Sequence, residues 1–317
     1  MAHSLQTWTL TDGHAGNVRQ ADALAAALGL EPEVLTLHPR APWRWLAPRR
    51  LPGDAQAFGD GFARALSAPP VLAIGCGRQA ALATRLLRRR GALAVQILDP
   101  RITPSHWDWV IAPEHDGLRG ANVIPMLGSL HPVDDVWLAR ARADFPQLAA
   151  LPGPRTALLV GGPSAHARFG VDDFDAMADL LDRAFAREGG SVMATASRRT
   201  PGPVREALRE RYGARGLVWR DNGDGRNPYP GLLAWADRIV CTPDSVNLLS
   251  EACATRVPVH VFDPARVGGR PRRFLDTLLA RGRIRPLEAT PTAFDAIPLR
   301  ETARVAALLR ERLSLPG

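Results

Sequence analysis

The stretch CTPDSVNLLSEACA, residues 241–254, carries more polar side chains than packing alone would need. It follows the apolar run ADRIVCT, which reads as a strand, and opens as a helix with Thr242 or Asp244 as its cap and Pro243 in its first turn. Asn247 and Glu251 fall four apart on one face, flanked by Ser245 and Ser250. Val246, Leu249 and Cys253 form the stripe that would be buried. A polar turn at the end of a strand is where a sheet protein of this kind holds its ligand.

Other strand-to-helix turns offer comparable chemistry. In TDGHAGNVRQ (11–20), Gly13 and Gly16 permit a tight turn, the next helix offers free amides to an anion, and Asp12 and His14 stand at the lip. In LLVGGPSAH, Gly161 and Gly162 leave space for a ligand and Ser164 can donate to a phosphate. ATASRRTP sets Thr195, Ser197, Arg198 and Arg199 after another strand; paired arginines with hydroxyls suit a diphosphate, and a solvated arginine pair is the plain alternative. DGRNPYPG places Asn227 and Tyr229 in a stiff turn that can hold the flat face of a base, or serve only as a turn.

In APEHDG (112–117), Glu114 and Asp116 flank His115, a pairing suited to general-base work near neutral pH or to an ordinary charged loop. GCGRQAA (75–81) is a further glycine-rich turn with Arg78 at its mouth. LHPRAPWRWLAPRRLPG (37–53) alternates Trp43, Trp45 and Leu46 with Arg40, Arg44, Arg49 and Arg50. That mixture fits an interfacial membrane contact through Trp43, Trp45, Arg49 and Arg50, or aromatics packed over a domain edge. DNGDG lacks the later bidentate Glu of a calcium loop, and DFD at 173–175 sits inside a helical pattern. No metal site is expected.

Composition narrows the classes. The 317 residues suit one large or two medium domains, and 46% are hydrophobic, ordinary for a soluble globular chain. No apolar run nears the ~20 residues that span a bilayer, and the N-terminus has no secretory pattern. Cys76, Cys241 and Cys253 are scattered, against a disulfide framework or a cysteine-based zinc site, so a cytoplasmic protein is expected. The formal charge is +8 and every basic residue is arginine. Genome composition is the bland cause. Without lysine there is no Walker lysine, no Schiff base and no lysine general base, so phosphate must be met by arginine, amides and helix N-termini. No nucleic-acid module is recognisable.

The elements that must position these residues alternate strand and helix along nearly the whole chain, which indicates mainly parallel sheets covered by helices. DFPQLAALPGPR interrupts the pattern, which restarts at TALLVGG and ends with the amphipathic PLRETARVAALLRERL. The expected organisation is a Rossmann-like acceptor domain over 1–143, a linker at 144–154, and a second Rossmann-like domain over 155–297. A terminal helix within 298–317 is expected to pack back on the first domain. The expected fold class is α/β, with two doubly wound domains facing a central cleft, and ligand at the carboxyl ends of the strands.

Taken jointly and in order, TDGHAGNVRQ, IGCGRQAAL, QILDPR, APEHDG, LVGGPSA, TASRRTP, NPYPGLLAWAD and TPDSVNLLSEA resemble the mitochondrial fission (elongated-mitochondria) family of plants and many bacteria. Many relatives carry Lys where this chain has His14. That family is similar to the two-domain GT-B glycosyltransferases that use nucleotide-sugars to build bacterial envelope components. The resemblance implies a donor nucleotide on the C-terminal half, with Gly162 and Ser164 facing the diphosphate and Arg198 nearby. It also implies Glu251 on the ribose hydroxyls, and Ser245 and Asn247 helping at the helix N-terminus.

The expected activity is transfer of a sugar, without a metal or other cofactor, to an envelope or lipid-linked acceptor at the inner membrane. The departing nucleotide's charge would be met by helix amides and arginine. One of Asp12, His14, Glu114 and His115 would take the acceptor proton. The rival is a non-catalytic adaptor that binds a partner protein or membrane. A nucleotide-sugar epimerase or dehydrogenase is disfavoured, because no G-x-G-x-x-G follows the first strand and no Tyr-x-x-x-Lys pair exists.

Overall fold

The computed structural model describes residues 5–313. Short apolar runs closed by glycine or polar turns form the strands. In chain order the first elements are β1 (Thr7–Thr11), α1 (Ala15–Ala27), β2 (Glu33–Thr36), α2 (Trp43–Leu46), α3 (Asp60–Ala65), β3 (Leu72–Cys76), α4 (Arg78–Arg88), β4 (Leu93–Ile97), β5 (Trp109–Pro113) and β6 (Val123–Met126). Their strands make one parallel six-stranded sheet in the order β2-β1-β3-β4-β5-β6. β1 and β3 are buried at every position, as expected where helices cover both faces of a parallel sheet.

The chain continues through α5 (Asp135–Asp144), β7 (Arg155–Val160), α6 (Val171–Glu188), β8 (Ser191–Ala196), α7 (Gly202–Tyr212), β9 (Gly216–Trp219), α8 (Tyr229–Trp235), β10 (Arg238–Cys241), α9 (Val246–Cys253), β11 (Val259–Val261), α10 (Gly269–Ala280) and β12 (Ile284–Pro286). These strands form a second parallel sheet, ordered β12-β11-β10-β7-β8-β9. The last helix, α11 (Glu301–Leu313), belongs with the first unit, which otherwise ends at Pro132; the second unit is Val133–Arg300.

In the first unit α1 and α11 cover one face of the sheet, with Leu24, Leu28, Val305 and Leu309 packed over Ile74, Val95 and Ile97. α3 and α4 cover the other, with Phe62, Leu82 and Leu86 over Trp8 and Leu10. Each such side chain contributes roughly 1.5–3 kcal/mol when fully buried. Thr302 fixes the start of α11, donating to the His131 carbonyl (2.8 Å) and accepting from the His131 amide (2.9 Å). The second unit has an equivalent core in which Phe174, Met177, Leu181 and Tyr212 pack over Leu158, Val192 and Val240.

Two expectations need correction. Helix α5, placed in the first domain by the reading of 1–143, packs against α8 in the second unit, where Arg142 Nε donates to the Ala234 carbonyl at 2.9 Å. Residues 144–154 are not a free linker either. Pro146–Ala150 form a 3-10 turn with Leu148 buried, and Phe145 and Leu148 close over Gly231, whose missing side chain makes room for them. Among the described residues no helix is long and apolar enough to cross a membrane.

Candidate functional site

Each sheet has a topological switch point, where successive connections run off to opposite sides and leave a crevice at the carboxyl ends of two adjacent strands. In the first unit it lies between β1 and β3. Asp12 follows β1, and its Oδ1 accepts from Asn17 Nδ2 (2.9 Å) and from the His14 amide (3.1 Å). The same oxygen lies 3.1 Å from His14 Nδ1, with the imidazole 80% exposed and the carboxylate 17% exposed. Across the switch point, Cys76 Sγ donates to Asn17 Oδ1 at 3.7 Å. Burial, and then the charge of Asp12, push the Cys76 thiol far above its ordinary value, so it acts as a neutral donor. Gly77 allows the approach: at φ +91° it has no Cβ, which would lie 2.6 Å from Asn17 Nδ2.

The second unit's switch point lies between β7 and β10. Its centre is Asp244, whose side chain is 1% exposed. Thr242 Oγ1 donates to Asp244 Oδ1 at 2.6 Å, while the Gly162 amide (3.1 Å) and Arg199 Nη2 (2.7 Å) donate to Oδ2. Thr242 Oγ1 in turn accepts from the Gly161 amide at 2.8 Å. Gly161 and Gly162 therefore do not leave open space for a ligand. A Cβ on Gly161 would sit 2.2 Å from Asp244 Oδ1, and one on Gly162 would sit 2.2 Å from the Arg199 carbonyl.

Helix α9 starts beside this knot. Ser245, not Thr242 or Asp244, is its N-cap, accepting from the Leu248 amide at 3.3 Å, and Pro243 precedes the helix. Asn247 is half-buried in the first turn, and Glu251 is buried, 4% exposed, in the second. The far end of α9 is held by Arg283, itself 5% exposed, which donates to the carbonyls of Ala252 (3.2 Å), Cys253 (3.0 Å) and Thr255 (2.9 Å). A buried cation at a helix C-terminus complements the helix dipole.

The remaining expected residues divide by what already holds them. Arg198 is exposed, and its side chain has no hydrogen bond or ion pair among the described residues. Arg199 is engaged by Asp244 and by the Gly162 and Pro163 carbonyls (3.2 Å each), so the pair of arginines is not a pair of free cations. Ser197 is tied into its own turn with Thr200 (3.1 Å), and Thr195 is buried inside β8. Ser164 is exposed and accepts from the His166 and Ala167 amides, which leaves its hydroxyl proton to donate. Asn227 accepts from the Tyr229 amide at 2.9 Å and so starts α8.

In the first unit, Glu114 and His115 occupy a 3-10 turn after β5, with Glu114 exposed and His115 half-buried. Two strands, β3 and β4, separate β5 from β1, an offset of about 14 Å at the usual strand spacing. The four proposed proton acceptors thus form two separate clusters. Arg78 does not face a ligand, because it donates to the carbonyls of Arg44 (3.0 Å), Trp45 (2.7 Å) and Ala47 (3.1 Å). Trp45 is 62% exposed and Arg49 is exposed, whereas Trp43 packs into the core edge and Arg50 is paired with Asp54 at 2.5 Å.

Asn17 and Arg205 were missed as contributors. Arg205 stitches the 197–200 turn through the Ser197 and Thr200 carbonyls. Asn17, three residues past His14 in the first helical turn, carried a signal in its spacing. Asp244 was read only as a cap.

These features define the class: an α/β protein of two Rossmann-like units, GT-B-like, with a polar turn at each switch point. The chain belongs to the mitochondrial fission ELM1 family, whose model matches residues 15–313. It is 32% identical over 278 residues to the mitochondrial fission protein ELM1 of Arabidopsis thaliana, covering 78% of this chain and 65% of that protein, so it spans less than two thirds of the plant relative. Among solved structures, it is similar to a UDP-N-acetylglucosamine 2-epimerase from Rickettsia bellii (TM-score 0.57, 13% identity, 98% of this chain and 95% of that one). It is also similar to S. aureus MnaA solved with UDP (TM-score 0.52, 14% identity, 97% and 89%). At these identities the likeness speaks to the fold.

Proposed function

We propose that the second unit binds a nucleotide-sugar and that the sugar passes, without a metal ion, to an acceptor hydroxyl held by the first unit. The acceptor would be lipid-linked or part of the envelope, and the exposed Trp45 and Arg49 would bring the chain to a membrane surface. The bond from the anomeric carbon to the β-phosphate oxygen breaks, and a bond to the acceptor oxygen forms. The acceptor proton goes to the Asp12–His14 pair, or to Glu114–His115.

One observation carries this reading: the capped N-terminus of α9 begins beside the Gly162 turn, with the unpaired Arg198 one residue from the Arg199 that clasps Asp244. Amides and a free guanidinium suit the negative charge that develops on a departing nucleoside diphosphate. Ser164 and Asn247 can add hydrogen bonds, and Glu251 would take the ribose hydroxyls.

Calorimetric titration with UDP, ADP and GDP in EDTA tests the donor half. One of the three should bind, and Arg198→Ala should weaken it at least tenfold with thermal unfolding unchanged. Silence across these nucleotides and their sugar conjugates overturns the reading and favours the adaptor. The 2-epimerase names of the structural neighbours bring a second reading at the same site, epimerisation of the bound sugar. The missing G-x-G-x-x-G and lysine argue only against dinucleotide-dependent chemistry. A new sugar isomer formed from a UDP-sugar alone, with no acceptor present, would decide for epimerisation.

A further inference from the structure

The connection from β2 to β3 contains a cavity of about 410 Å³ that neither switch-point turn accounts for. Trp8, Leu35 and Leu37 on the sheet side and Phe58, Phe62 and Ala65 on the side of α3 give it an apolar middle, while Glu33 stands at one end and Thr36 and His38 at the other. Gly61, exposed in the same lining, leaves room for a larger side chain, since a Cβ there would meet nothing within 4 Å. The volume falls in the range of small-ligand sites. Trp8, itself buried, forms the floor of the slot on β1.

The cavity has a direction. It follows the edge strand from Glu33 to His38, a run of about 16 Å in extended chain. Thr36, in its lining, touches the Asp12–His14 turn: a Cβ on Gly13 would lie 3.2 Å from Thr36 Cγ2. Past His38, the Arg40 guanidinium lies against Gly59, next to Phe58, so cationic charge stands at that end. The same connection exposes Trp45 (62%) and Leu46 (40%), with the Arg44 guanidinium 5.1 Å over the Trp45 ring. Between residues 40 and 64 it carries Arg40, Arg44, Arg49, Arg50 and Arg64 against Asp54 and Asp60, an excess of positive charge. The three carbonyls held by Arg78 fix α2 and its exposed side chains in place.

A slot with an apolar middle, a cationic end away from Glu33 and an exposed Trp–Leu pair fit one kind of occupant. We infer that this cavity seats the hydrocarbon chain of a lipid with an anionic headgroup, drawn from a membrane. The headgroup lies at Arg40, at the end of the slot that Thr36 joins to the Asp12–His14 turn. The inference rests on the transferase reading only in calling that lipid the acceptor.

The probe is dodecyl phosphate below its micelle-forming concentration, titrated into the full chain by calorimetry, with inorganic phosphate as control. Saturable one-to-one binding of dodecyl phosphate is expected, with none for inorganic phosphate. Gly61→Trp fills the slot from an exposed helical position and should lower the affinity at least tenfold with thermal unfolding unchanged; Ala65→Phe is the second filling variant. No saturable binding by the unmutated chain, full binding by both filled variants, or equal binding of inorganic phosphate would each overturn the inference. Running the UDP, ADP and GDP titrations on the same sample separates the two proposals. Nucleotide silence with alkyl-phosphate binding removes the transferase and keeps the slot; the reverse result removes only the slot.

Discussion

The two switch points use the same device to different ends. In each, the turn after the unit's first strand is bound across the crevice to the neighbouring strand's turn. Asn17 does this in the first unit by joining Asp12 to Cys76, and Asp244 does it in the second by joining Thr242 to Gly162 and Arg199. The difference is solvent. Asp244 is sealed and fully supplied with donors, so its carboxylate is held in one place. Asp12 keeps partial exposure and faces an imidazole that is mostly in water. The first unit's turn is therefore open to solvent, while the second's is a closed knot beside a helix N-terminus.

The sharpest way to break this contrast is to disturb both carboxylates. Asp244→Ala leaves Arg199 and the Gly162 amide without their anion and should cost about 3–5 kcal/mol, as should Gly161→Ala, which forces the carboxylate out. Asp12→Ala should cost under about 1 kcal/mol, as exposed pairs do. Urea unfolding of the three variants checks this, and equal losses would erase the distinction.

Acid gives the next largest effect, and it belongs to the second unit. His260 on β11 is 2% exposed with its ring against Phe294, and burial pulls its pKa from 6.5 down to about 4. The folded chain keeps this ring neutral, while the unfolded chain takes up a proton below pH 6.5. Its contribution is therefore complete above pH 6.5 and is lost as pH falls toward 4, by about 3 kcal/mol. Comparing urea midpoints at pH 7.5 and 4.5 should show a steep fall that His260→Phe flattens.

Smaller still, Arg198→Ala should remove about 1.5–3 kcal/mol of nucleoside diphosphate affinity with no change in stability. Arg199→Ala should lower stability as well, because it also releases Asp244. A calorimetric titration beside a melting curve separates the two arginines. Smallest, His14→Ala should change the unfolding free energy by less than about 0.5 kcal/mol in the same urea titration, since its ring is 80% exposed.

The sheets were legible because strands buried on both faces write themselves as continuous apolar runs, as LAIGC and TALLV do. The partner of helix α5 is not legible because its own pattern says nothing about partners; only the distant α8, whose Ala234 carbonyl accepts from Arg142, shows which core it joins. The polar cluster of 241–254 was visible, but the job of Asp244 was not, since Gly162 and Arg199 lie 82 and 45 residues away. Arg78 misled for the same reason. A guanidinium at the mouth of a turn looks free until the carbonyls of residues 44–47 close on it from 31 to 34 residues upstream.

The return of α11 to the first sheet has a practical consequence. The second unit is a guest spliced into its host at two points, and the host clasps both splice ends together, since His131 and Thr302 exchange two hydrogen bonds. A short glycine bridge from 132 to 301 should therefore close the host without stretching it, and 133–300 can be expressed as one uninterrupted piece. Truncation from either terminus, by contrast, injures the host and never frees the guest.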